Sequence, residues 1–514
     1  MASAGLILAR RERRRDEQVR LVRETGAALV SITVVSPGPD KDDGPARVAY
    51  GAAVSAVESL ARARGWALGP SLQLGGPGGP ECLATVAAPG FEVKRELIEL
   101  EDRHPLGRLW DLDVVDGLRD DGQPVVLSRA DLGHGPRRCL VCAHDARACA
   151  RSARHPLPLL LAARSALAAG VAPDAGAAAA DLAVEALLVE ARLTPKPGLV
   201  DASTNGAHDD MDLALLERSA QLLGPWLAAC WQLGAAHPGR VEPLVELGVA
   251  AEAAMRVATA GVNTHRGALF SVGLLLGALG ARAAAEAGPG SDSDADLVAD
   301  GSGSGVEAGA GVDDSHTGGS GVDRAGADLV ADLCGRVADL AAPLLSRWRA
   351  DADPAASHGS AALRDLGVTG ARGEAASGFA TVVHVGLPAY RARLAAYGDN
   401  DDALRWALVR LIAVNADTNL VARGGAAGLE YARGWARGVV ARDPSPAGLV
   451  DELASADIEF TKRRLSPGGS ADLLALTWLL DALAHPHTWP KAALSVEGSG
   501  CSPSPRPKGQ PSAG

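Results

Sequence analysis

The run Gly107-Arg108-Leu109-Trp110-Asp111-Leu112-Asp113-Val114 alternates apolar and polar residues in the manner of a strand. Alternate strand residues share a face, so Asp111 and Asp113 present two carboxylates together. Such a pair can hold a hard divalent cation, Mg2+, against substrate phosphates, where it neutralises charge developing during attack at phosphorus. Arg108 can clamp the same oxygens. Two solvated carboxylates on an exposed strand face have the same spacing. Glu99 and Glu101 repeat it upstream and could supply a third ligand. Further on, Cys139-x2-Cys142-x6-Cys149 with His155 has the ligand types and clustering of a Zn2+ knuckle, flanked by Arg137, Arg138, Arg151 and Arg154. Buried thiols that bind nothing are the alternative.

A second group of polar, glycine-rich knots lies past residue 190. They are Thr194-Pro195-Lys196-Pro197-Gly198-Leu199-Val200-Asp201, Asn205-Gly206-Ala207-His208-x-Asp210-Met211, Gly261-Val262-Asn263-Thr264-His265-Arg266-Gly267, Gly370-Ala371-Arg372-Gly373-Glu374-Ala375, Asp417-Thr418-Asn419 with Arg423-Gly424-Gly425, and Ser466-Pro467-Gly468-Gly469-Ser470-Ala471-Asp472. Gly and Pro at helix ends are ordinary punctuation. Recurring cations, carboxylates and amides beside them point further: helix N-termini with Lys or Arg suit phosphates, and Asp or Glu suit magnesium on those phosphates. No Gly-x4-Gly-Lys-Ser/Thr loop and no strand-borne Gly-x-Gly-x2-Gly occurs, which argues against P-loop and dinucleotide sites.

The elements that must position these groups differ between the two halves. Residues 28–35 read as a strand entering a Pro-Gly turn, 52–63 as a helix, and 82–87, 97–101, 109–115 and 125–127 as strands. Together they make a mixed or antiparallel sheet with few helices. From 181 onward the apolar period is helical, recurring at 213–233, 242–258, 268–285, 328–346, 403–415 and 472–484. The expected organisation is multidomain: an N-terminal α/β domain over 1–165 with a mixed sheet, an Ala/Gly/Pro-rich linker over 166–180, and a C-terminal all-α domain over 181–485. Residues 288–328 hold eleven Gly, six Ser and nine acidic side chains against Arg324 alone, which predicts a disordered insertion, and 486–514 read as a disordered tail.

Composition bounds the function classes. The 514 residues are 47% apolar, 22% charged and 3% aromatic, enough for sizeable cores built from Leu, Ala and Val. The net charge of −12 argues against a nucleic-acid or anionic-membrane partner, although the insertion accounts for most of it. Seven cysteines are too few for a disulfide framework, and no secretory signal stands at the start, so a reducing cytoplasm is expected. The apolar stretch 267–281 falls short of a bilayer span and reads as a buried helix.

The motif residues also carry two resemblances. Pro37-Gly38-Pro39-x-Lys41, His104-Pro105-Leu106-Gly107-Arg108-Leu109-Trp110-Asp111-Leu112-Asp113-Val114, and Arg137-Arg138-Cys139-Leu140-x-Cys142 running to Cys149-Ala150-Arg151 resemble the apo-citrate lyase phosphoribosyl-dephospho-CoA transferases, over about 8–162. That resemblance implies nucleotidyltransferase-like chemistry: a serine hydroxyl of apo-acyl carrier protein, the citrate lyase gamma subunit, attacks phosphorus and diphosphate leaves. Lys41 joins Arg108, Asp111 and Asp113 as an implied site residue.

The six knots, in their order, resemble the triphosphoribosyl-dephospho-CoA synthases over about 181–481. The implied reaction joins a ribose hydroxyl of 3′-dephospho-CoA to C1′ of the ATP ribose, with loss of adenine. Under this resemblance Asp210, Glu252, Glu374 and Asp417 are candidates for metal or base, with Asp210, Glu252 and Asp417 as the Mg2+ set. His208 and His265 are candidates for proton transfer. Lys196, Arg266, Arg372 and Arg423 suit the phosphates, with Asn263, Thr264, Asn419, Gly468, Gly469 and Ser470 lining the nucleotide site. Arg266 replaces the usual Lys, and Ala202 stands where an Arg usually follows the Asp. A bifunctional fusion catalysing consecutive steps is the expectation. Loading of the malonate decarboxylase carrier subunit is an alternative within the class, and a zinc-binding interaction protein with degenerate sites is one outside it.

Overall fold

The computed structural model describes residues 4–69, 71–76, 78–287, 320–351 and 367–485. The first half is a five-stranded sheet with helices on both faces. Its elements are α1 (Ala4–Thr25), β1 (Ala28–Val34), α2 (Gly44–Arg64), β2 (Leu72–Gln73), β3 (Glu81–Val86), α3 (Gly90–Arg103), β4 (Trp110–Leu118) and β5 (Pro124–Leu127). The order is β2-β3-β1-β4-β5 and every pairing is antiparallel. Of the mixed or antiparallel sheet expected from the sequence the antiparallel form is present, which corrects the mixed sheet assigned to the N-terminal domain. Val30, Ile32, Leu112 and Val114 point to the face covered by Ala49, Ala53 and Val57 of α2 and Val93 and Leu97 of α3. Leu29, Leu83 and Val115 point the other way, onto Val22 of α1. The period of two along β1 and β4 thus sorts two cores.

Two local expectations fail for a physical reason. Residues 97–101, Leu-Ile-Glu-Leu-Glu, are not a strand but the last turns of α3. Val93, Lys94, Leu97, Ile98 and Glu101 are its buried positions, a helical period in which two charged residues occupy core-facing places. Glu99 and Glu101 consequently cannot extend a strand-borne pair. Helix α1 escaped notice because Arg, Glu and Asp cover most of its surface, leaving too weak an apolar period to read.

After β5 come the short α4 (Ala146–Arg151) and α5 (Leu157–Ala168), and then helices alone among the described residues. These are α6 (Ala177–Arg192), α7 (Leu213–Ala236), α8 (Glu242–Ala258), α9 (Arg266–Ala287), α10 (Ser320–Asp351), α11 (Gly370–Ala376), α12 (Leu387–Tyr397), α13 (Asn400–Val414), α14 (Thr418–Arg442), α15 (Pro446–Lys462) and α16 (Gly468–Ala484). Small residues let these helices approach closely, which is how a chain poor in aromatics fills its core. A Cβ on Gly234 of α7 would fall 2.0 Å from the Gly277 carbonyl oxygen of α9, and one on Gly280 would fall 2.0 Å from that of Trp231. Helix α9 is long and apolar enough to cross a membrane, yet here it is a core helix with most of its residues buried.

Helix α5 belongs to both halves. Leu159 and Ala162 pack into the helical core, Ala163 and Leu167 into the sheet core. Its Arg164 bonds Ser36 and Asp43, and its Ser165 bonds His237 beyond α7 at 2.9 Å. The stretch expected as a linker over 166–180 is thus partly helical, since α5 closes at 168 and α6 opens at 177. Within the expected insertion, 320–328 begin α10, while 288–319 lie outside the described residues, as do 486–514 of the expected tail.

Candidate functional site

Asp111 and Asp113 share one face of β4, paired across to Thr33 and Ser31 of β1. Their carboxylates are close to half exposed. β5 pairs with β4 only from Val114 onward, so the first half of β4 has an open edge. Side chains close it. Glu101 accepts from Leu112 N–H at 2.9 Å, Lys94 Nζ donates to the Leu112 carbonyl at 2.7 Å, and Arg137 Nη1 donates to the Trp110 carbonyl at 2.7 Å. The same cations then reach the pair, with Arg137 Nη2 2.5 Å from Asp111 and Lys94 Nζ 3.5 Å from Asp113. Asp113 is pushed above the ordinary carboxylate range by its desolvating surroundings and then by the Asp111 charge. Glu101 is pushed up by burial, against the pull of Arg137.

Arg108 is not on the carboxylate pair. Its Nη1 donates to the Cys139 carbonyl at 3.2 Å, and Arg137 occupies the place expected of it. Lys41 donates to the Ser36 carbonyl in the loop after β1, and burial and then the nearby Arg164 charge lower its pKa. His104 stacks on Trp110 at 4.2 Å, fixing the turn into β4. Cys139, Cys142, Cys149 and His155 come together with all ligand atoms within 4.8 Å of one another.

In the helical half the knots meet around the run Ser466–Asp472. Asp417 caps α14 through Oδ1, accepting from Asn419 N–H at 2.9 Å and Leu420 N–H at 3.3 Å. Its Oδ2 accepts from Ser470 N–H at 2.8 Å and Oγ at 3.0 Å, so one carboxylate joins the N-termini of α14 and α16. A Cβ on Gly468 would lie 2.6 Å from the Asn419 amide, and one on Gly469 3.1 Å from the Asp417 carboxylate. The start of α9 is drawn in by Asp472, which packs on Gly267 and accepts from Ala268 N–H. Burial, then Glu190 and Asp417, push Asp472 well above the carboxylate range. Lys196 is fully buried and bonds Glu190 at 2.6 Å.

His265 lies in the same interior. Its Nδ1 is 3.1 Å from Ser219 Oγ, which is 2.6 Å from Thr264 Oγ1, while its Nε2 is buried with no partner. Burial, and then the Lys196 charge, lower its pKa to about 4, so the imidazole is neutral at pH 7. His208 meets the start of the 466–472 run with both nitrogens engaged, Nε2 at 2.9 Å from Ser466 Oγ and Nδ1 at 3.1 Å from Arg423. A guanidinium only donates, so Nδ1 accepts and Nε2 carries the proton. Ala207, Asp209, Asp210, Arg423 and Arg464 line a cleft of about 400 Å³ beside it.

The remaining candidates lie on the knots that flank this centre, with Arg266 next to the Gly267 that packs on Asp472 and the Gly370 knot against Thr418 of α14. Glu252 pairs with Arg256 and Arg266, both at 3.2 Å, and Asn263 Oδ1 accepts from Arg266 N–H at 3.3 Å. Arg372 lies over Trp348 at 4.8 Å and Phe270 at 6.0 Å. Glu374 is bound to Thr381 N–H and Oγ1 at 3.2 and 2.6 Å. Among the described residues Asp210, Glu252 and Asp417 do not form one ligand cluster. Sequence reasoning missed Glu190, Ser219, Arg464 and Asp472 as partners. Asp472 stood in a quoted motif, whereas nothing in the sequence separates Glu190 from a solvated helix carboxylate.

Each half thus sets carboxylates beside guanidinium groups. A family model described as ATP:dephospho-CoA triphosphoribosyl transferase (CitG) matches residues 176–491, and one described as apo-citrate lyase phosphoribosyl-dephospho-CoA transferase (CitX) matches 3–169. The chain is similar to the Haemophilus influenzae protein CitXG, 32% identical over 490 residues that cover 92% of this chain and 95% of the relative. It is also 40% identical over 312 residues to a 2-(5''-triphosphoribosyl)-3'-dephosphocoenzyme-A synthase of Escherichia fergusonii, covering 59% of this chain and 89% of that one. A probable synthase of the same name from Photobacterium profundum is 38% identical over 306 residues, 58% of this chain and 85% of its own length. The chain therefore belongs to the ATP:dephospho-CoA triphosphoribosyl transferase family, with an apo-citrate lyase phosphoribosyl-dephospho-CoA transferase unit ahead of it. It is a bifunctional transferase of citrate lyase prosthetic-group biosynthesis.

Proposed function

We propose that the cleft beside His208 takes the ATP triphosphate and that the buried imidazole of His265 activates the attacking hydroxyl. The observation that carries this reading is the meeting of Asp209 and Asp210 with Arg423 and Arg464, from segments more than 200 residues apart, in one cleft. Guanidinium groups match phosphate oxygens, and the exposed Asp210 carboxylate suits magnesium carried by the triphosphate. Asp417 does not fit a metal, because both its oxygens already accept from two donors each. Glu252 is held by two arginines.

His265 is better placed than His208 to accept a proton, since both nitrogens of His208 are engaged. With the proton on Nδ1 donated to Ser219, and Ser219 donating to Thr264, the His265 Nε2 lone pair is free. In this reading it takes the proton of the dephospho-CoA ribose hydroxyl as that oxygen bonds to C1′ of the ATP ribose. The bond from C1′ to adenine breaks, and adenine leaves with a proton from solvent. The N-terminus of α16 at Gly468 and Gly469 orients the nucleotide, while Lys196, bonded to Glu190, holds the interior side.

In the sheet half, Asp111 and Asp113 fit a magnesium ion: two half-exposed carboxylates stand side by side, and Asp113 is raised partly by its neighbour's charge. Magnesium bound there would offset charge developing at phosphorus. Arg137 and Lys94 hold the carboxylates in register, and Arg137, the more exposed of the two, faces the same phosphates. The acceptor in this reading is a serine of the citrate lyase gamma subunit, loaded in the cytoplasm. Arg423→Ala and Arg464→Ala test the cleft: each should raise KM for ATP by about tenfold or more, the worth of one charge-assisted hydrogen bond. An unchanged KM in both would place the triphosphate elsewhere.

A further inference from the structure

The segment between β4 and α5 has little of its own to hold it. From 119 to 156 the buried apolar side chains are Leu127, Cys139, Leu140 and Cys149, and two of those four are the cysteines. Its regular structure amounts to the four residues of β5, one turn at Ala130–Leu132 and the six residues of α4. A stretch that buries so little apolar surface needs another tie.

The backbone supplies a frame for one. An isolated bridge between Arg138 and Asp145 closes a tight hairpin, with Cys139 N–H donating to the His144 carbonyl and Ala146 N–H to the Arg137 carbonyl, both at 2.8 Å. Cys139 and Cys142 project from this hairpin. Asp145 caps α4, which brings Cys149 back towards them, and a left-handed turn at Ala153 (φ 47°) returns the chain so that His155 faces the same point. Cys142 Sγ is 3.6 Å from Cys149 Sγ, and His155 Nε2 is 3.2 Å from Cys142 Sγ. A tetrahedral zinc ion with Zn–S of about 2.3 Å and Zn–N of about 2.0 Å requires edges near 3.8 Å between sulfurs and near 3.5 Å between sulfur and nitrogen. These two edges are shorter by only 0.2–0.3 Å, and all four ligand atoms lie within 4.8 Å of one another, whereas a disulfide needs its sulfurs at about 2.05 Å.

We propose that Cys139, Cys142, Cys149 and His155 bind one zinc ion as a closed structural site. Three thiolates and an imidazole fill a tetrahedron and leave no position for water or substrate, so the ion does no chemistry itself. Its effect is positional. The hairpin it fixes carries Arg137, which bonds both Asp111 and the Trp110 carbonyl, and the Cys139 carbonyl, which holds Arg108. Loss of the ion releases these arginines from the open edge of β4. That consequence rests on the role proposed above for Asp111 and Asp113, while the binding of zinc does not.

The test uses the full chain, purified without a histidine tag or chelator, and reads metal content by mass spectrometry. About one equivalent of zinc per chain is expected, released in step with the modification of three thiols by an organomercurial, and this readout needs no variant. Less than about 0.2 equivalents, with those thiols freely reactive under native conditions, overturns the site. Cys142→Ser and Cys149→Ser should each lose the metal. They should also lower diphosphate release by at least about tenfold while adenine release from the helical half stays within about twofold. Metal lost with diphosphate release unchanged would overturn the positional role. Loss of both activities together would overturn it too, as general unfolding.

Discussion

At the residue scale the chain uses ionisable groups in two different ways. Asp111 and Asp113 remain half exposed and are steadied by Arg137 and Lys94, the arrangement on which the proposed magnesium site rests. Asp111→Asn and Asp113→Asn should each lower diphosphate release by about 100-fold or more while leaving adenine release intact, since each removes one charge from the proposed magnesium site. Retained transfer in either variant would refute that carboxylate's role. His265 is the opposite case, a buried neutral group. Its pKa of about 4 in the folded chain lies below the ordinary value near 6.5, so its contribution to stability is complete above about pH 6.5 and is lost as pH falls towards 4. Between pH 7 and pH 5 the parent chain should lose about 2 kcal/mol more stability than His265→Gln in urea unfolding of the helical half. The same variant should lower kcat for adenine release by about 100-fold with KM for ATP little changed. Parallel loss of stability in both chains would mean that His265 is not held neutral.

Elements explain what the sequence made legible and what it hid. The long helices α7, α8, α9, α13 and α16 carry a steady apolar period, and the sequence places them within a few residues. The strands β1, β3, β4 and β5 are equally clear, because turns with Gly, Pro or Asp bound short apolar runs. Helix α3 was not, since its closing Leu-Ile-Glu-Leu-Glu alternates like a strand and only tertiary contact reveals that Glu101 and Lys94 are buried to satisfy the β4 edge. Helix α14 is rich in Ala, Gly and Arg and reads as nothing definite, and α15, with four acidic residues among its apolar ones, does not read as an element either. α14 is moreover broken at Gly425, where φ is 61° and ψ is −161°. The candidate site divides in the same way. Motif glycines located the helix ends, but the joining of α14 to α16 by Asp417 depends on atoms 53 residues apart in sequence. That joint gives an element-scale prediction. Asp417→Asn keeps the cap on α14, since an Asn oxygen accepts equally well, but cannot accept from Ser470 as well. Asp417→Ala loses both. Thermal unfolding should therefore rank parent, Asn and Ala in falling order, with Ala down by about 2–4 kcal/mol. Equal stability of all three would show that the shared cap does not hold the two helices.

The whole molecule joins two catalytic units by more than a tether. Helix α5 buries one face in each core, and its Arg164 reaches the loop that carries Lys41 while Ser165 reaches His237 at the end of α7. The net charge of −12 no longer describes the working surfaces, because the segment 288–328 supplies most of it and both sites are lined by arginines. The central claim is that one chain makes the triphosphoribosyl-dephospho-CoA and then loads it. It is tested most directly by incubating the purified chain with ATP, magnesium and 3′-dephospho-CoA, first alone and then with apo-acyl carrier protein, and following small molecules and intact carrier by mass spectrometry. The account predicts free adenine in the first mixture. In the second it predicts diphosphate together with a carrier heavier by one phosphoribosyl-dephospho-CoA. Absence of adenine in both mixtures, or an unmodified carrier despite adenine release, would contradict it.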